Sequence, residues 1–466
     1  MSGVSVDTEL IGAKLVEQEL VGPESIGLVT DPDALRAAGA DRSGWPGARP
    51  PRGVVFARDA AEVSAVLAWA HDTRTPIVPR GAGSGLAAAA TGVEGAVVLD
   101  LSRLNRILEI DADEQLARVE PGVITADLDR AAATHGLMYA PDPGSVGIST
   151  LGGNIATNAG GLRGAKYGVT RDHVLALDVV LADGTLIHVG RDTIKGVTGY
   201  DLVGLFTGSE GTLGVVVGAT LRLLPRPVRT ATASAFFPGI EEAARAVTEI
   251  TRSPARPAVL EILDGATLAA IDALEGTDLS ARGGALLLAQ TDGFGAAEEL
   301  EVVTQAITPL ASHIETATDA ASAERLLFAR RRALPALEAL GRPLIEDIAV
   351  PRTRLADAVA AIGRIAAEED VRIFVFGHAG DGNLHPIIVT APASPDAPIP
   401  PAAQRAADRI FALALALGGT ITAEHGVGRL KREWARRELG TDVQALQERL
   451  RAAFDPHGIL NPGSSI

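Results

Sequence analysis

The sequence VRIFVFGHAGDGNLHPIIV, residues 371–389, decides how the C-terminal half of the chain is expected to fold. Its two ends, residues 371–376 and 384–389, are apolar and rich in β-branched and aromatic side chains, so each predicts a buried strand. The intervening GHAGDGN contains three glycines, an Asp and an Asn, which predicts a tight reversal and therefore a hairpin. His378 ends the first strand and His385 begins the second. The hairpin would place both imidazoles at one end of the sheet, close enough to hold one metal ion.

A second motif, AEHGVG at residues 423–428, supplies further candidate ligands. Here the apolar run 420–423 ends in Glu424 and His425 inside a glycine-rich loop. Two histidines and one carboxylate suit Zn²⁺, Fe²⁺ or Mn²⁺ with coordination positions left open. The alternative for the first pair is a turn whose histidines hydrogen-bond to backbone, and the second motif favours the metal site. Spacing alone leaves open whether Glu424 or His425 is the third ligand.

The composition excludes several classes of function. The chain has 466 residues, 47% of them hydrophobic, which is enough for two or three domains. A formal charge of −16 argues against nucleic acid and against a basic membrane-binding surface. Cysteine is absent, which excludes disulfides, thiol catalysis and cysteine-held metal in this chain. The N-terminus lacks the pattern of a signal peptide, so we expect a cytoplasmic protein, with peripheral contact at the inner face of the membrane left open.

The N-terminal half alternates between strand and helix patterns, which is typical of α/β architecture. An amphipathic helix is predicted at residues 5–21, followed by a connector rich in Pro and Gly. Asp59 is a candidate N-cap for a helix over residues 59–72. The other elements predicted for this part are four strands, at residues 53–56, 76–79, 96–99 and 116–119, and one helix, at residues 125–135.

The loop RGAGSGL at residues 80–86 directly follows a predicted strand. Its small side chains allow backbone N–H groups to approach a diphosphate closely. The glycine spacing matches neither the Walker loop nor the GxGxxG nicotinamide fingerprint. Taken alone, the loop is a weak signal, and a tight turn without a ligand is the alternative.

A longer block of small and hydroxylic residues follows, comprising PDPGS at 141–145, STLGGNIATNAGG at 149–161 and KYG at 166–168. Such residues let a large planar ligand lie against the backbone, with Ser, Thr and Asn supplying hydrogen bonds. A bare Ω-loop is the alternative, but it does not explain the lack of bulky residues over twenty positions. After a predicted hairpin over 174–189, GSEGTLGVVV at 208–217 is another glycine loop that opens onto a strand.

Together these motifs resemble the FAD-binding oxidase family that includes vanillyl-alcohol oxidase, and within it the branch of D-2-hydroxyacid dehydrogenases. The resemblance covers roughly residue 20 to the C-terminus. It identifies PRGAGSGL as the pyrophosphate loop, GSEGTLGVV as the strand that passes the flavin ring, and LNPG at 460–463 as a tail that returns to the flavin. The positions that match the family's flavin-binding motifs are Pro79, Arg80, Gly81, Ala82, Gly83, Ser84, Gly85, Leu86, Pro143, Gly144, Ser145, Thr150, Gly152, Gly153, Asn154, Thr157, Asn158, Gly160, Gly161, Tyr167, Gly168, Glu210, Gly211, Gly214, Val216 and Asn461.

The resemblance also implies a catalytic site. It assigns the metal to His378, His385 and Glu424, with zinc preferred and manganese or iron as alternatives. His425 becomes the catalytic base, and Arg330 binds the substrate carboxylate. FAD is expected to bind non-covalently, because residues 80–86 contain no His or Cys.

The implied fold is α+β, with a two-part α/β FAD-binding domain and an α+β substrate (cap) domain built on an antiparallel sheet. Helices are expected on one face of that sheet. The expected division of the chain is an N-terminal helix and connector at 1–49, the FAD-binding domain at 50–227, the cap domain at 228–410, and a C-terminal segment at 411–466 that returns to the FAD-binding domain.

The residues expected around the substrate favour one carboxylate rather than two. Leu334 lies one helical turn beyond Arg330, Ile345 and Glu346 stand where a lysine is expected, and Ile387 follows the second histidine by two. A second carboxylate would therefore be buried without a partner, which is costly. We expect oxidation of a small D-2-hydroxyacid such as D-lactate or glycolate, and an apolar-tailed hydroxyacid fits equally well.

Three other functions remain open at this point: a metal-independent flavin oxidase acting on a sugar or aryl alcohol, D-2-hydroxyglutarate dehydrogenase, and a non-catalytic metal or flavin carrier. The expected electron acceptor is a quinone, a cytochrome, an electron-transfer flavoprotein or an iron–sulfur partner subunit, and reoxidation by O₂ is left open. No nucleic acid partner is expected, and a homodimer is left open.

Overall fold

The computed structural model of the protein describes residues 26–193, 195–393 and 397–465. The helix predicted at 5–21 lies outside these residues. The N-terminal part contains ten strands: β1 (Gly53–Phe56), β2 (Ile77–Arg80), β3 (Val97–Asp100), β4 (Ile107–Asp111), β5 (Leu116–Val119), β6 (Leu137–Met138), β7 (Val174–Val180), β8 (Leu186–Gly190), β9 (Val215–Arg222) and β10 (Leu224–Pro225). Its helices are α1 (Pro32–Gly39), α2 (Ala60–Thr73), α3 (Thr125–Ala133), α4 (Leu151–Thr157), α5 (Gly164–Tyr167), α6 (Thr170–His173) and α7 (Leu202–Phe206).

The first half of this part is a small parallel sheet with the strand order β1-β3-β2. Helix α2 connects β1 to β2, and Asp59 caps its N-terminus by accepting a hydrogen bond from the backbone N–H of Glu62, as predicted. The apolar face of α2, with Val63, Val66 and Leu67, packs onto the sheet. This packing fixes the end of β2, where the first glycine loop begins.

The second half is a five-stranded sheet with the order β4-β5-β9-β7-β8. Its strands are antiparallel, and the predicted hairpin over 174–189 is confirmed by the pairing of β7 with β8. A separate two-stranded ladder joins β6 to β10. The small-residue block at 141–168 lies between β6 and β7 in sequence, and it forms loops and short helices rather than strands.

The C-terminal part contains one large sheet. Its strands are β11 (Thr230–Phe237), β12 (Val259–Asp264), β13 (Ala285–Asp292), β14 (His313–Ala317), β15 (Arg342–Ile345), β16 (Ile348–Ala349), β17 (Arg372–His378) and β18 (Asn383–Thr390). Its helices are α8 (Ile240–Arg252), α9 (Gly265–Glu275), α10 (Leu279–Arg282), α11 (Ala296–Ile307), α12 (Ala320–Leu326), α13 (Phe328–Leu340), the 3₁₀ turn Arg352–Arg354, α14 (Leu355–Glu369), α15 (Pro401–Ala416) and α16 (Arg432–Phe454).

All pairs in this sheet are antiparallel, with the order β14-β11-β13-β12-β17-β18-β15 and β16 added beside β18. The predicted hairpin of the opening stretch is confirmed, since β17 and β18 pair directly and Phe376 lies opposite His385. The antiparallel sheet of the cap domain is therefore as expected.

The expectation of helices on one face of this sheet is wrong, because both faces are covered. Leu287 and Ala289 of β13 pack with α8, α11, α14 and α15. The intervening Leu286 and Leu288 pack on the opposite face with α9 and α13. The helix that carries Arg330 is thus part of a second layer, and this layer borders the site described below.

The C-terminal segment returns to the N-terminal part. Helix α16 is broken at Gly440, where the backbone turns to φ 70° and ψ 171°. Beyond it, Leu460 bridges to Ile77 of β2, and both residues are fully buried. The expected boundary at residue 410 falls inside helix α15, which packs as one unit against the large sheet. Among the residues that the structure describes, no helix combines the length and apolar character needed to cross a membrane.

Candidate active site

One cavity of about 1440 Å³ runs between the two parts of the molecule. Its N-terminal wall is formed by the loop at 80–86, the small-residue block and the loop at 209–216. Its C-terminal wall is formed by helix α13, the β17–β18 hairpin and the loop that carries Glu424 and His425. The predicted flavin-binding motifs and the predicted metal site therefore face the same space.

Of the positions expected to bind flavin, all line this cavity except Asn158, Gly161, Tyr167 and Gly168. The hydroxyl of Tyr167 instead donates a hydrogen bond to Asp292 Oδ2 at 2.7 Å, which links the small-residue block to strand β13. The remaining wall is rich in glycine, so a long ligand can lie against bare backbone. This shape and lining fit FAD.

The first glycine loop packs directly against the small-residue block. A Cβ built on Gly81 would lie 2.3 Å from Thr150 Oγ1, and one on Gly152 would lie 2.5 Å from Pro121 Cβ. Any side chain at either position would push these segments apart. Close packing of neighbouring segments thus explains why glycine stands at these two positions.

His378, His385 and Glu424 come together at the C-terminal wall. One candidate ligand atom from each lies within 4.8 Å of the others, and His378 Nε2 is 3.6 Å from Glu424 Oε1. Both histidines are buried, and His385 Nδ1 has no hydrogen-bond partner among the described residues. A buried imidazole nitrogen without a partner is costly, and a metal ion in this donor set would remove that cost.

The electrostatics of the cluster favour a positive charge between these groups. Burial opposes a charged His378, but the carboxylates of Glu261 and Glu424 outweigh it and raise its pKa well above the usual value. Burial, together with nearby His378, lowers the pKa of His385 to about 3. The imidazole of His385 is therefore kept neutral, and a neutral imidazole is the state in which histidine binds a metal.

His425 lies beside this cluster with its ring stacked on that of His385, at a centroid separation of 5.4 Å and an interplanar angle of 17°. Its pKa is lowered, because the cost of burial exceeds the attraction of Asp347. A neutral imidazole can accept a proton, so the position and the charge state both suit a base.

Asp347 holds the loop that carries Glu424 and His425, and sequence reasoning missed it. Its Oδ2 accepts hydrogen bonds from the backbone N–H groups of Ala423, Glu424 and His425 at 2.9–3.0 Å. Oδ1 accepts from Asn383 Nδ2 at 2.7 Å. An acidic pair inside the apolar run LIEDIAV was the available signal, because buried charges are rare unless they have partners.

Arg330 reaches the cavity from helix α13 and is linked through Glu261 to the cluster of His378, His385 and Glu424. Its Nε donates to Glu261 Oε2 at 2.5 Å, and its guanidinium lies 4.8 Å from the centre of the Phe376 ring. Glu261 in turn accepts from His378 Nδ1 at 2.6 Å. Glu261 was also missed, although an acid in the middle of the apolar strand VLEILD marks it in the sequence.

The wall next to Arg330 has an apolar part, while Arg331 and Arg342 also line the cavity. Leu334 and Phe376 form this apolar part, together with Ile345 and Ile387, which lie opposite each other on paired strands. Glu346, which stands next to Ile345 in sequence, is buried and does not line the cavity. Burial raises the pKa of Glu346 to about 7.

Two predicted flavin-binding residues bind protein through their side chains. Glu210 accepts hydrogen bonds from the backbone N–H of Val427 at 2.6 Å and from the hydroxyl of Ser464 at 3.0 Å. Asn461 donates to the backbone oxygens of Ala89 and Glu210 at 3.0 and 2.8 Å. Both residues also line the cavity, so they tie the C-terminal segment to the N-terminal wall.

Comparison with known proteins agrees with this architecture. Residues 51–190 match the FAD binding domain, and residues 226–465 match the C-terminal domain of FAD linked oxidases. The chain is 44% identical over 418 residues to glycolate oxidase subunit GlcD of Bacillus subtilis, which covers 89% of this chain and 88% of that protein. It is 36% identical over 419 residues to D-lactate dehydrogenase of Archaeoglobus fulgidus, which covers 89% and 91%.

Solved structures show the same fold at low identity. The substrate-bound structure of p-cresol methylhydroxylase superimposes with a TM-score of 0.77 at 17% identity, covering 95% of this chain and 94% of that one. For 4-ethylphenol oxidase from Gulosibacter chungangensis the TM-score is 0.74 at 19% identity, covering 95% of both chains. The chain therefore belongs to the FAD-linked oxidase family, as an FAD-linked oxidoreductase related to glycolate oxidase subunit GlcD and to D-lactate dehydrogenase.

Proposed function

We propose that the protein oxidises a small D-2-hydroxyacid with a single carboxylate to the corresponding 2-oxoacid. The observation that carries this proposal is convergence: His378, His385, Glu424, His425 and Arg330 all line the cavity that is also lined by the glycine-rich loops. A hydroxyacid needs a cation for its carboxylate and a base for its hydroxyl. Both lie on one wall here, opposite the proposed flavin site.

The chain's own residues have separate tasks. Arg330 binds the carboxylate, because a planar guanidinium can donate two parallel hydrogen bonds to it. His425 accepts the hydroxyl proton at an unprotonated ring nitrogen. Bound FAD would supply the hydride acceptor, and a divalent cation held by His378, His385 and Glu424 would make the hydroxyl more acidic. Zinc is the preferred cation, with manganese or iron as alternatives.

The apolar part of the wall next to Arg330 supports the choice of a monocarboxylate. Leu334, Ile345 and Ile387 offer no partner to a second carboxylate, and burying an unpaired charge is strongly unfavourable. D-Lactate and glycolate place only a methyl group or a hydrogen there. A branched apolar side chain fits the same surface, whereas D-2-hydroxyglutarate does not.

The electrons then pass to an acceptor outside this chain. Two curated relatives are named as glycolate oxidase subunits, which supports a partner subunit as one candidate. A quinone, a cytochrome, an electron-transfer flavoprotein or an iron–sulfur subunit is each compatible with the proposal.

The test is anaerobic reduction of the purified flavoprotein. D-Lactate, glycolate, a D-2-hydroxyacid with a branched apolar side chain, D-2-hydroxyglutarate and L-lactate are mixed with it while flavin absorbance is followed, with and without chelator pretreatment. We expect bleaching by the D or achiral monocarboxylates, loss of bleaching on chelation, and recovery on adding Zn²⁺ or Mn²⁺. Bleaching by D-2-hydroxyglutarate alone would overturn the substrate class, and bleaching indifferent to chelation would overturn the metal.

A further inference from the structure

Glu261 is an acid in the centre of the large sheet. It sits in the middle of strand β12, in the sequence VLEILD, and its side chain is 0% exposed. A carboxylate removed from water to this degree costs several kcal/mol unless charged partners compensate. The partners that Glu261 has therefore explain why an acid occupies this position.

Each carboxylate oxygen of Glu261 has its own cationic or N–H partner. Oε1 accepts from His378 Nδ1 at 2.6 Å, and Oε2 accepts from Arg330 Nε at 2.5 Å. The backbone enforces the first contact, because Glu261 and His378 lie directly opposite each other where β12 pairs with β17. One side chain thus touches both the proposed metal ligand and the proposed substrate cation.

The contact with His378 selects its tautomer. An ionised carboxylate can only accept, so Nδ1 of His378 must carry the proton in this hydrogen bond. In the neutral imidazole, the lone pair then lies on Nε2, the nitrogen that faces Glu424. After the loss of its Nε2 proton, a histidine oriented in this way binds a metal ion through Nε2, and the carboxylate increases its basicity.

The contact with Arg330 sets the direction of the guanidinium. Glu261 accepts a hydrogen bond from the Nε–H of Arg330, and the two terminal nitrogens of the guanidinium take no part in this hydrogen bond. These are the groups that donate in parallel to a carboxylate. The hydroxyl and carboxylate of a 2-hydroxyacid are on adjacent carbons, so the span between metal and guanidinium must be short and fixed.

We propose that Glu261 is a positioning residue that fixes the metal ligand His378 and the substrate-binding Arg330 relative to each other. This inference rests on the proposed function. A buried acid would then fix the distance between the two groups that hold the substrate.

The variant Glu261→Gln tests the proposal because the amide has only one acceptor. Arg330 can only donate, so the amide oxygen is expected to face Arg330 and the amide NH₂ to face His378. His378 Nδ1 must then accept, which moves its proton to Nε2 and blocks metal binding there. We expect the dissociation constant for Zn²⁺ or Mn²⁺, measured on the FAD-loaded protein with a competing chelator, to rise about 10- to 100-fold.

Two further variants separate positioning from a general structural role. Asp264→Asn changes a second, partly buried acid of the same strand, whose oxygens accept from Thr267 and Val375 backbone N–H groups at 2.7 and 2.8 Å. It is expected to lower thermal stability and leave metal affinity within about threefold of wild type. Glu261→Asp keeps an acceptor-only carboxylate on a shorter side chain, so its metal affinity is expected to lie between those of wild type and Glu261→Gln. If Glu261→Gln does not fold, Glu261→Asp is expected to bind the metal more weakly than wild type.

The outcomes distinguish the two proposals. Wild-type protein that binds neither Zn²⁺ nor Mn²⁺ would overturn the metal centre and this role with it. Wild-type protein that binds the metal, with Glu261→Gln or Glu261→Asp binding it equally well, would overturn the role of Glu261 alone. Equal losses of metal affinity in Glu261→Gln and Asp264→Asn would also overturn it.

Discussion

Replacing Asp347 by Asn is expected to destabilise the protein and weaken metal binding together. Besides its three backbone donors, Asp347 Oδ2 accepts from Thr422 Oγ1 at 2.7 Å and lies 3.9 Å from Lys431 Nζ. The attraction of His425, Lys431 and His385 outweighs burial and holds the pKa of Asp347 well below its usual range. The group is therefore a charged acceptor at neutral pH.

An asparagine cannot satisfy the same partners in either orientation. If its oxygen faces the loop, its NH₂ meets the NH₂ of Asn383, which is already committed to Ile348 O at 3.0 Å. If its NH₂ faces the loop, it meets three backbone N–H groups. Either way a buried lysine loses its counter-charge, and breaking a buried pair by removing one partner costs about 3–5 kcal/mol.

This loss converts to a measurable shift. At about 2 cal/mol/K per residue, unfolding of the whole chain carries an entropy of about 1 kcal/mol/K, so Tm should fall by about 3–5 °C if the chain unfolds as one unit. Metal affinity should fall as well, because the loop that carries Glu424 is no longer held. The assay is thermal unfolding of the FAD-loaded protein, paired with a chelator titration of Zn²⁺.

Glu346→Gln, measured at pH 6, is the matched control. Its carboxyl is buried next to Asp347 in sequence, but burial raises its pKa to about 7, so at pH 6 the neutral amide replaces a mostly neutral acid. We expect little change in Tm or metal affinity. An Asp347→Asn variant with Tm within about 1 °C of wild type and unchanged metal affinity would refute the reasoning.

Three further predictions concern other parts of the site. In the folded protein the pKa of Glu346 is about 7, whereas in the unfolded chain it is near 4.5. Between these two pH values only the folded protein holds the proton, so the free energy of unfolding should fall by about 3 kcal/mol as the pH rises from 4.5 past 7. Urea unfolding at pH 5 and pH 8 checks this. Glu346→Gln should reduce the difference by about this amount but not remove it, because Asp142 and Asp381, whose pKa values burial raises to about 6, contribute as well. Gly160→Ala would place a Cβ 2.5 Å from Glu424 Oε1, so the metal dissociation constant should rise at least about 10-fold. Asp292→Asn should lower the free energy of unfolding in urea by about 1–3 kcal/mol. This loss should exceed that of Tyr167→Phe, because Asp292 forms an ion pair with Lys166 in addition to its hydrogen bond with Tyr167. Equal losses in the two variants would contradict the ion pair.

Local patterns predicted much of the fold. Strand β5 begins and ends at the predicted residues, and the hairpin β17–β18 follows from two apolar runs around GHAGDGN. These features depend on contacts between residues near in sequence, where turn chemistry and side-chain periodicity are informative. The cluster of His378, His385 and Glu424 was predicted for the same reason, since two of its members share one hairpin and the third lies in a recognisable motif.

The layers around the large sheet could not be predicted in this way. Strand β13 is apolar at successive positions, so its sequence does not alternate as a strand with one solvent face would. That pattern was compatible with burial on both faces, but the pairing of strands far apart in sequence decides which helices cover which face. Glu261 and Asp347 were missed for a related reason. Each binds partners at least 36 residues away, which no local pattern specifies.

The glycines of AEHGVG have a structural purpose beyond the metal. Asp347 holds the first half of this loop, and Glu210, from the opposite wall of the cavity, holds the second half through the N–H of Val427. Gly426 has φ 80°, and a Cβ there would lie 2.6 Å from Glu210 Oε1; a Cβ on Gly428 would lie 1.8 Å from Ala87 O. The loop can therefore approach the flavin-side wall only without side chains. Two buried acids, one from each part of the molecule, set how far the proposed base stands from the flavin-binding loops, and the glycines make that short distance possible.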